Sequence, residues 1–295
     1  MRIFLTGATG FIGSEVARNL IEAGHQVLGV TRSRTGAEAL AALGAEVFRG
    51  DLSDPDGLAE GAASCDAVIH TAFDHDFSNF AANCEKDARV IGALGAALDG
   101  SDRPFVITSV TGLGMVAPGQ PAIEDHFDTH NRNPRIASER AGRTLLDRGL
   151  NVSFVRLSQI HDTRKQGLVT ALIDLARRTG VSAMLGDGAG RWSAAPLEST
   201  ALLYRLALEE KKPGGCYHAV AEEGVPLHAI ATAIGERLNL PVVSLEHEAA
   251  AHFGWLSHFL ESDFVASSAA TQKRLGWHPQ GPSLLDDIRN LDDGA

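Results

Sequence analysis

Short apolar runs recur along residues 1–160, separated by stretches with helical spacing. The runs are Arg2–Leu5, Gln26–Thr31, Ala45–Phe48, Ala67–Thr71, Pro104–Thr108 and Val152–Leu157. Each is rich in β-branched residues and lacks strict alternation with polar ones, as strands buried on both faces of a parallel sheet do. Between them lie helices with readable ends. Ser14–Ala23 stops at Gly24, Glu38–Leu43 stops at Gly44, and Pro134–Arg148 opens on a proline and stops at Gly149. Asp54-Pro55 reads as a cap followed by a first-turn proline. This βαβ rhythm predicts an α/β fold built on a doubly wound parallel sheet.

Beyond residue 160 the rhythm loosens. Gly186-Asp187-Gly188-Ala189-Gly190 is a turn-rich break, followed by a helix at Leu197–Glu210. Tyr217-His218-Ala219-Val220 has the composition of a strand that returns to the sheet. Leu227–Leu238 is an amphipathic helix, and the remainder reads as mostly helical. A small lid of this kind, packed over the carboxyl ends of the strands, creates the cleft in which such sheets bind ligands.

Composition narrows the class. With 295 residues the chain can bury one large core, or one core and a smaller appendage. Its net charge of −11 lacks the basic footprint a nucleic-acid partner needs. Three cysteines (Cys65, Cys84 and Cys216) at unrelated spacings do not make a disulfide framework and fit a reducing compartment. No basic–apolar–small leader precedes the first strand and no apolar stretch approaches bilayer length. The expectation is a soluble, cytoplasmic protein with a small-molecule substrate, no nucleic-acid or membrane partner, and a homodimer as the possible assembly.

The densest chemistry lies at the start. Thr6-Gly7-Ala8-Thr9-Gly10-Phe11-Ile12-Gly13 is a glycine-rich turn between a strand and a helix, the context of a dinucleotide-phosphate site. Gly7 permits the tight turn, Gly10 lets backbone N–H groups approach the pyrophosphate, and Gly13 allows close packing of helix and strand. Thr9, Phe11 and Ile12 complete the binding turn, and the helix start supplies orphan N–H donors. An NAD-preferring fold carries an acid at the end of the second strand, to hold the ribose 2′-OH. Here that segment reads Val30-Thr31-Arg32-Ser33-Arg34, with no acid. Arg32 and Ser33 suit a 2′-phosphate, so NADP(H) is expected over NAD(H), which stays possible. Asp51, followed by Leu52, sits where an acid accepts from the adenine amine; the same residue also suits a turn cap. Thr71-Ala72 ends the fourth strand beside the glycine turn.

The opening turn, Gly50-Asp51-Leu52, Thr108-Ser109, Arg156-Leu157, the Gly186-Asp187-Gly188 break and Leu275-Gly276-Trp277-His278-Pro279 resemble the short-chain dehydrogenase/reductase superfamily, over nearly the whole chain. The likeness is to its extended or atypical branch, the NAD-dependent epimerase/dehydratase-like proteins. It implies a Rossmann domain over 1–160, with 195–221 returning to it, and a smaller substrate domain from 161–194 and 222–295. It also implies a nicotinamide cofactor along the strand ends, with Thr108, Ser158, Gln159 and Ile160 near it. The superfamily works with a Ser or Thr after the fifth strand and a Tyr-x-x-x-Lys on the next helix. In this chain Arg135 takes the tyrosine position, Glu139 the lysine position and Val110 the serine position.

That departure changes the chemistry. Arg135 cannot cycle as an acid/base at neutral pH, yet a guanidinium polarises a carbonyl or neutralises an alkoxide. Glu139 is expected either to accept from the nicotinamide ribose or to salt-bridge Arg135 across one helical turn. Ser109 and Thr111 are candidate hydroxyls for a substrate carbonyl, with turn capping as the plain alternative. His161, just after the sixth strand, is a candidate proton donor or a solvated loop residue. Glu124–His130 reads as a substrate lid and Asp74-His75-Asp76 as a polar loop, and neither is expected to hold a metal. The aromatics around Phe253 and Trp255 are either a substrate pocket or core. The residues therefore point to an NADP(H)-dependent oxidoreductase for a small, fairly apolar carbonyl or related unsaturated compound. The alternatives are a non-catalytic NADP(H) sensor and a nucleotide-sugar epimerase or dehydratase.

Overall fold

The computed structural model describes residues 1–246 and 248–292. The chain opens with β1 (Arg2–Thr6), α1 (Phe11–Glu22), β2 (Gln26–Thr31), α2 (Arg34–Leu43), β3 (Glu46–Arg49), α3 (Pro55–Ala63) and β4 (Ala67–His70). It continues through α4 (Phe80–Ala96), β5 (Phe105–Val110), α5 (Ile136–Asp147), β6 (Val152–Leu157) and β7 (Gln159–His161). Then come α6 (Leu168–Thr179), β8 (Ser182–Leu185), β9 (Arg191–Pro196), α7 (Leu197–Glu210), β10 (Cys216–Ala219), β11 (Glu222–Pro226), α8 (Leu227–Leu238) and β12 (Val242–Leu245). Four short helices follow: α9 (Ala249–Phe253), α10 (Ser257–Leu260), α11 (Ala269–Leu275) and α12 (Leu284–Arg289).

Seven strands form one parallel sheet in the order β10-β6-β5-β4-β1-β2-β3. The order reverses between β1 and β4, which places a crevice at their carboxyl ends. Side chains alternate across the sheet. Ile3 and Leu5 pack with Leu20, Leu203, Tyr204 and Trp277 on one face, while Phe4 packs with Leu58, Val68, Ile91 and Phe154 on the other. The segment around Tyr217 does return to the sheet, as β10 beside β6.

Local chemistry explains most boundaries. Asp54 caps α3, accepting from Gly57 N at 3.1 Å, with Pro55 in the first turn. Gly44 ends α2 in the left-handed region at φ 88°. Helix α2 begins at Arg34, earlier than expected, because the Ser33 hydroxyl caps it by accepting from Gly36 N at 2.9 Å. Strand β3 departs from the expected pattern: Glu46, Val47 and Arg49 are exposed, since β3 is the sheet's edge.

The carboxyl-terminal part adds strands to the expected helices. A three-stranded sheet, β11-β9-β7, and a two-stranded one, β12-β8, hold α6 and α8 around a core that includes Trp192, Phe253, Leu256 and Ile288. Among the described residues no helix is long and apolar enough to cross a membrane.

Candidate functional site

The glycine turn joins β1 to α1 at the crevice. Gly7 sits at φ 71°, and a Cβ there would lie 2.7 Å from both Ala72 N and Thr71 Oγ1. A Cβ on Gly13 would strike the Gly7 carbonyl and come within 2.8 Å of Thr71 Oγ1. The turn is thus packed to contact against the end of β4, where Thr71 Oγ1 donates to Thr6 O at 2.7 Å. Gly10 caps α1 without any side-chain hydrogen bond, so the first-turn N–H groups are left uncapped beside exposed Thr9 and Gly10. Phe11 and Ile12 are half-buried beside them. A concave backbone with aligned donors at a helix N-terminus fits a dinucleotide pyrophosphate.

The end of β2 forms the rim of this cradle. The Arg32 side chain is 80% exposed, with Nη1 3.4 Å from Asp51 Oδ2. Asp51 Oδ1 accepts from Ser53 N at 2.7 Å, so the turn-capping role is realised. Hydrogen bonds from Ser53, helped by Arg32, hold the Asp51 carboxyl below its usual range. Leu52, half-buried next to it, packs on the core below. The Ser33 hydroxyl, spent as an acceptor in the α2 cap, keeps its proton free to donate.

The β5–α5 junction differs from expectation at several points. Ser109 is 0% exposed and its hydroxyl donates to Glu139 Oε2 at 2.7 Å. Glu139, also 0% exposed, receives Arg156 through two bonds (Nε at 3.0 Å and Nη2 at 2.6 Å) and Arg143 Nη2 at 2.8 Å. Both residues are sealed and spend their polar atoms on each other and on Arg156 and Arg143, instead of turning them to the cleft as the sequence reading expected. Burial pushes the Glu139 pKa up, yet Arg156, Ser109 and Arg143 together hold it below the usual range. The expected Arg135–Glu139 pair is absent. Arg135 is 7% exposed and donates from Nη1 to Asp87 Oδ2 at 3.1 Å and from Nη2 to Thr108 O at 3.1 Å.

Asp87, from α4, is the hub of this second network. His70 Nε2 meets its Oδ1 at 2.9 Å and Ser138 Oγ donates to its Oδ2 at 2.5 Å, while His70 Nδ1 is 2.7 Å from Thr6 Oγ1. Burial raises the Asp87 pKa and the partners, His70 foremost, bring it below the carboxylate norm. The Arg135 guanidinium also lies over the Phe73 ring, 4.1 Å from its centroid. Thr108 Oγ1 donates to His70 O at 2.7 Å and is 2.6 Å from the hydroxyl of Tyr204, which arrives from α7. Burial drives the Tyr204 pKa up, and its ring is fully enclosed, so it does not replace the missing tyrosine.

Thr111 is the hydroxyl that remains. It follows β5 and has no hydrogen-bond partner among the described residues. Across the crevice, Ser158 Oγ donates to Ala219 O at 2.5 Å and Ile160 turns its side chain into the core. His161 is neither solvated nor in the cleft: it is fully buried, with Nδ1 2.6 Å from Asp287 Oδ2. The Glu124–His130 segment is a pinned strap rather than a loose lid. Glu124 accepts from Thr271 N and Oγ1, both at 2.7 Å, Asp125 pairs with Arg274, and Arg156 Nη1 donates to His126 O at 2.8 Å. His75 is exposed yet packs edge-on against Phe73, and partial desolvation by its neighbours, then the Arg135 charge, lowers its pKa.

Asp87 is the buried neighbour that sequence reading missed, and Arg156 was read only as part of the sixth strand, not as a partner of Glu139. Asp87 shares the buried stripe of α4 with Cys84, Ile91 and Leu94, and Arg156 sits in a buried strand whose other members are apolar except Ser153. A charge on an apolar face was the available signal for both.

An NAD(P)H-binding family model matches residues 7–182. The chain is 45% identical over 290 residues to "Uncharacterized protein C2A9.02" of Schizosaccharomyces pombe, covering 98% of each. It is 32% identical over 228 residues, 72% of this chain and 67% of the relative, to a 2-alkyl-3-oxoalkanoate reductase of Stenotrophomonas maltophilia. Its fold matches that of DesIV, a dTDP-glucose 4,6-dehydratase from Streptomyces venezuelae solved with NAD and TYD bound. There the TM-score is 0.79 at 18% identity, over 98% of this chain and 95% of that one.

Proposed function

The chain belongs to the short-chain dehydrogenase/reductase superfamily, in its extended epimerase/dehydratase branch, and on that premise we propose an NADP(H)-dependent oxidoreductase for a small, apolar carbonyl compound. The glycine cradle supports dinucleotide binding. Exposed Arg32, at the end of a β2 that carries no acid, is the observation that supports NADP(H) over NAD(H). When bound, the reduced nicotinamide supplies the hydride.

The chain's own residues do the rest. Thr111 donates a hydrogen bond from its unpartnered Oγ1 to the substrate carbonyl oxygen. The Arg135 guanidinium, held by Asp87 and by the Thr108 carbonyl, keeps a fixed positive charge at the edge of the same cleft. Because it uses few of its five donors on those partners, it retains N–H groups for an oxygen that gains negative charge. Arg135 releases no proton at neutral pH, so the proton that completes the alcohol comes from solvent at that oxygen.

Titrating NADPH and NADH against the chain, then following NADPH oxidation over a panel of ketones, aldehydes and enones, tests the reading. Tighter NADPH than NADH binding and turnover of at least one carbonyl class are expected. Tighter NADH binding removes the Arg32 argument. Firm cofactor binding with no turnover across the panel leaves a cofactor sensor.

A further inference from the structure

Aromatic side chains follow one another around the mouth of the cleft. Phe73 meets Phe80 at 6.1 Å between centroids, and Phe80 meets Phe77 at 5.3 Å. Phe77 stacks on Trp255 at 4.4 Å with 7° between planes; Trp255 meets Phe259 at 5.8 Å, and Phe259 meets Phe264 at 6.3 Å. Both ends of the chain of rings lie beside residues of the proposed site. Phe73 lies under the Arg135 guanidinium, and Phe264 stands 3.9 Å from where a Cβ on Gly112, next to Thr111, would be.

Rings that serve only as core are sealed, as Trp192 and Trp277 are at 0% exposure. These rings are open: Trp255 is 40% exposed, and Phe73, Phe77, Phe80 and Phe259 are half-buried. The wall also carries little charge. Arg191 on the adjoining strand is taken by Asp263 at 2.7 Å, and the exposed His75 sets its ring edge-on against Phe73 and Phe77.

We infer that this open arc is a substrate-recognition wall for a planar aromatic ring joined to the reacting carbonyl, as in an aryl ketone or aryl aldehyde. The inference rests on the oxidoreductase reading above. A flat ring lies in full contact against a wall of rings and gains offset or edge-on aromatic contacts, whereas a puckered saturated ring of equal carbon count touches it at fewer atoms. Phe77 comes from the segment after β4 and Trp255 from the small carboxyl-terminal part. Their stack makes ring recognition depend on both parts.

Calorimetric titration of the full chain, saturated with NADP⁺ so that no turnover occurs, compares acetophenone with cyclohexyl methyl ketone. Acetophenone is expected to bind about tenfold more tightly, about 1.4 kcal/mol. Trp255→Leu and Phe77→Leu are each expected to cut that preference below about threefold while NADP⁺ affinity stays within about twofold. Equal affinities, no binding of either ketone, or a preference unchanged in both variants would overturn the inference. Failure of NADP⁺ itself to bind would instead overturn the oxidoreductase reading.

Discussion

The turn between β1 and α1 and the junction between β5 and α5 border the same cleft, yet they are made of different material. The first is backbone: its first-turn N–H groups have no side-chain cap, and Gly7 and Gly13 let Thr71 and Ala72, just after β4, pack against the turn. The second is side chains drawn from afar. Arg135 is held by Asp87, Ser109 by Glu139, Glu139 by Arg156, and Thr108 by Tyr204. A backbone site keeps its donors whatever lies around it. A side-chain site keeps only those hydroxyls and charges that distant partners leave unspent.

Breaking the side-chain region gives the largest effect. Glu139→Ala leaves Arg156 buried without its counter-ion and is expected to cost about 3–5 kcal/mol in chemical denaturation. Arg135→Ala is expected to cost less, because His70 and Ser138 still serve Asp87; an equal cost would show that the two networks are not graded in this way. At the backbone region, Gly13→Ala places a methyl against the Gly7 carbonyl and should weaken NADPH binding about 100-fold or more, read by cofactor fluorescence. If NADPH affinity survives, the cradle is looser than its packing implies.

Thr111→Val tests the hydroxyl that the networks leave free. A fall in kcat of about 100-fold with little change in melting temperature is expected, as for removal of a single donor to a developing oxyanion. Ser109→Ala, which unpairs one bond of Glu139, should move stability more than kcat.

Acid sensitivity belongs to the same networks. Burial and Arg156 push the His218 pKa down to about 3, whereas an unfolded histidine titrates near about 6.5. The unfolded chain therefore binds the extra proton between those values, so stability is full above about pH 6.5 and falls as pH drops, by about 2 kcal/mol at pH 5. Its geometry agrees: Nδ1 lies 2.8 Å from Ser267 O and Nε2 3.3 Å from the Arg156 guanidinium, an arrangement for a neutral ring. Asp87 and Glu139, both held below their usual values, extend the loss as pH falls below about 4.5. His218→Gln should flatten the upper part of that profile only. The smallest effect is expected at the rim, where Arg32→Ala should lower NADPH affinity about tenfold and leave NADH nearly unchanged.

The glycine cradle was legible because its glycines, strand and helix lie within one strand–turn–helix unit, with only Thr71 and Ala72 reaching it from elsewhere. The exposed place of Arg32 at the acid-free end of β2 was legible for the same reason. At the β5–α5 junction, the missing tyrosine and lysine could be read from Arg135 and Glu139, but the fate of those two residues could not. Local spacing favoured a pair one helical turn apart, and tertiary contacts won: Arg156 offers Glu139 two bonds inside the core, and Asp87 offers Arg135 a buried counter-ion. Asp87 on the apolar stripe of α4 announces that some buried cation or donor exists, without saying which.

The amino-acid sequence by itself determined the parallel sheet, its glycine cradle and the acid-free end of β2, because strand, turn and helix preferences act over a few residues. It also set the alternation that sends Thr108 and Ser109 to opposite faces of β5. What stands on those faces was decided only in three dimensions. Tyr204 waits on one side and Glu139 on the other, so both hydroxyls are drawn inward, while Thr111, just past the strand and 5% exposed, has no such partner among the described residues.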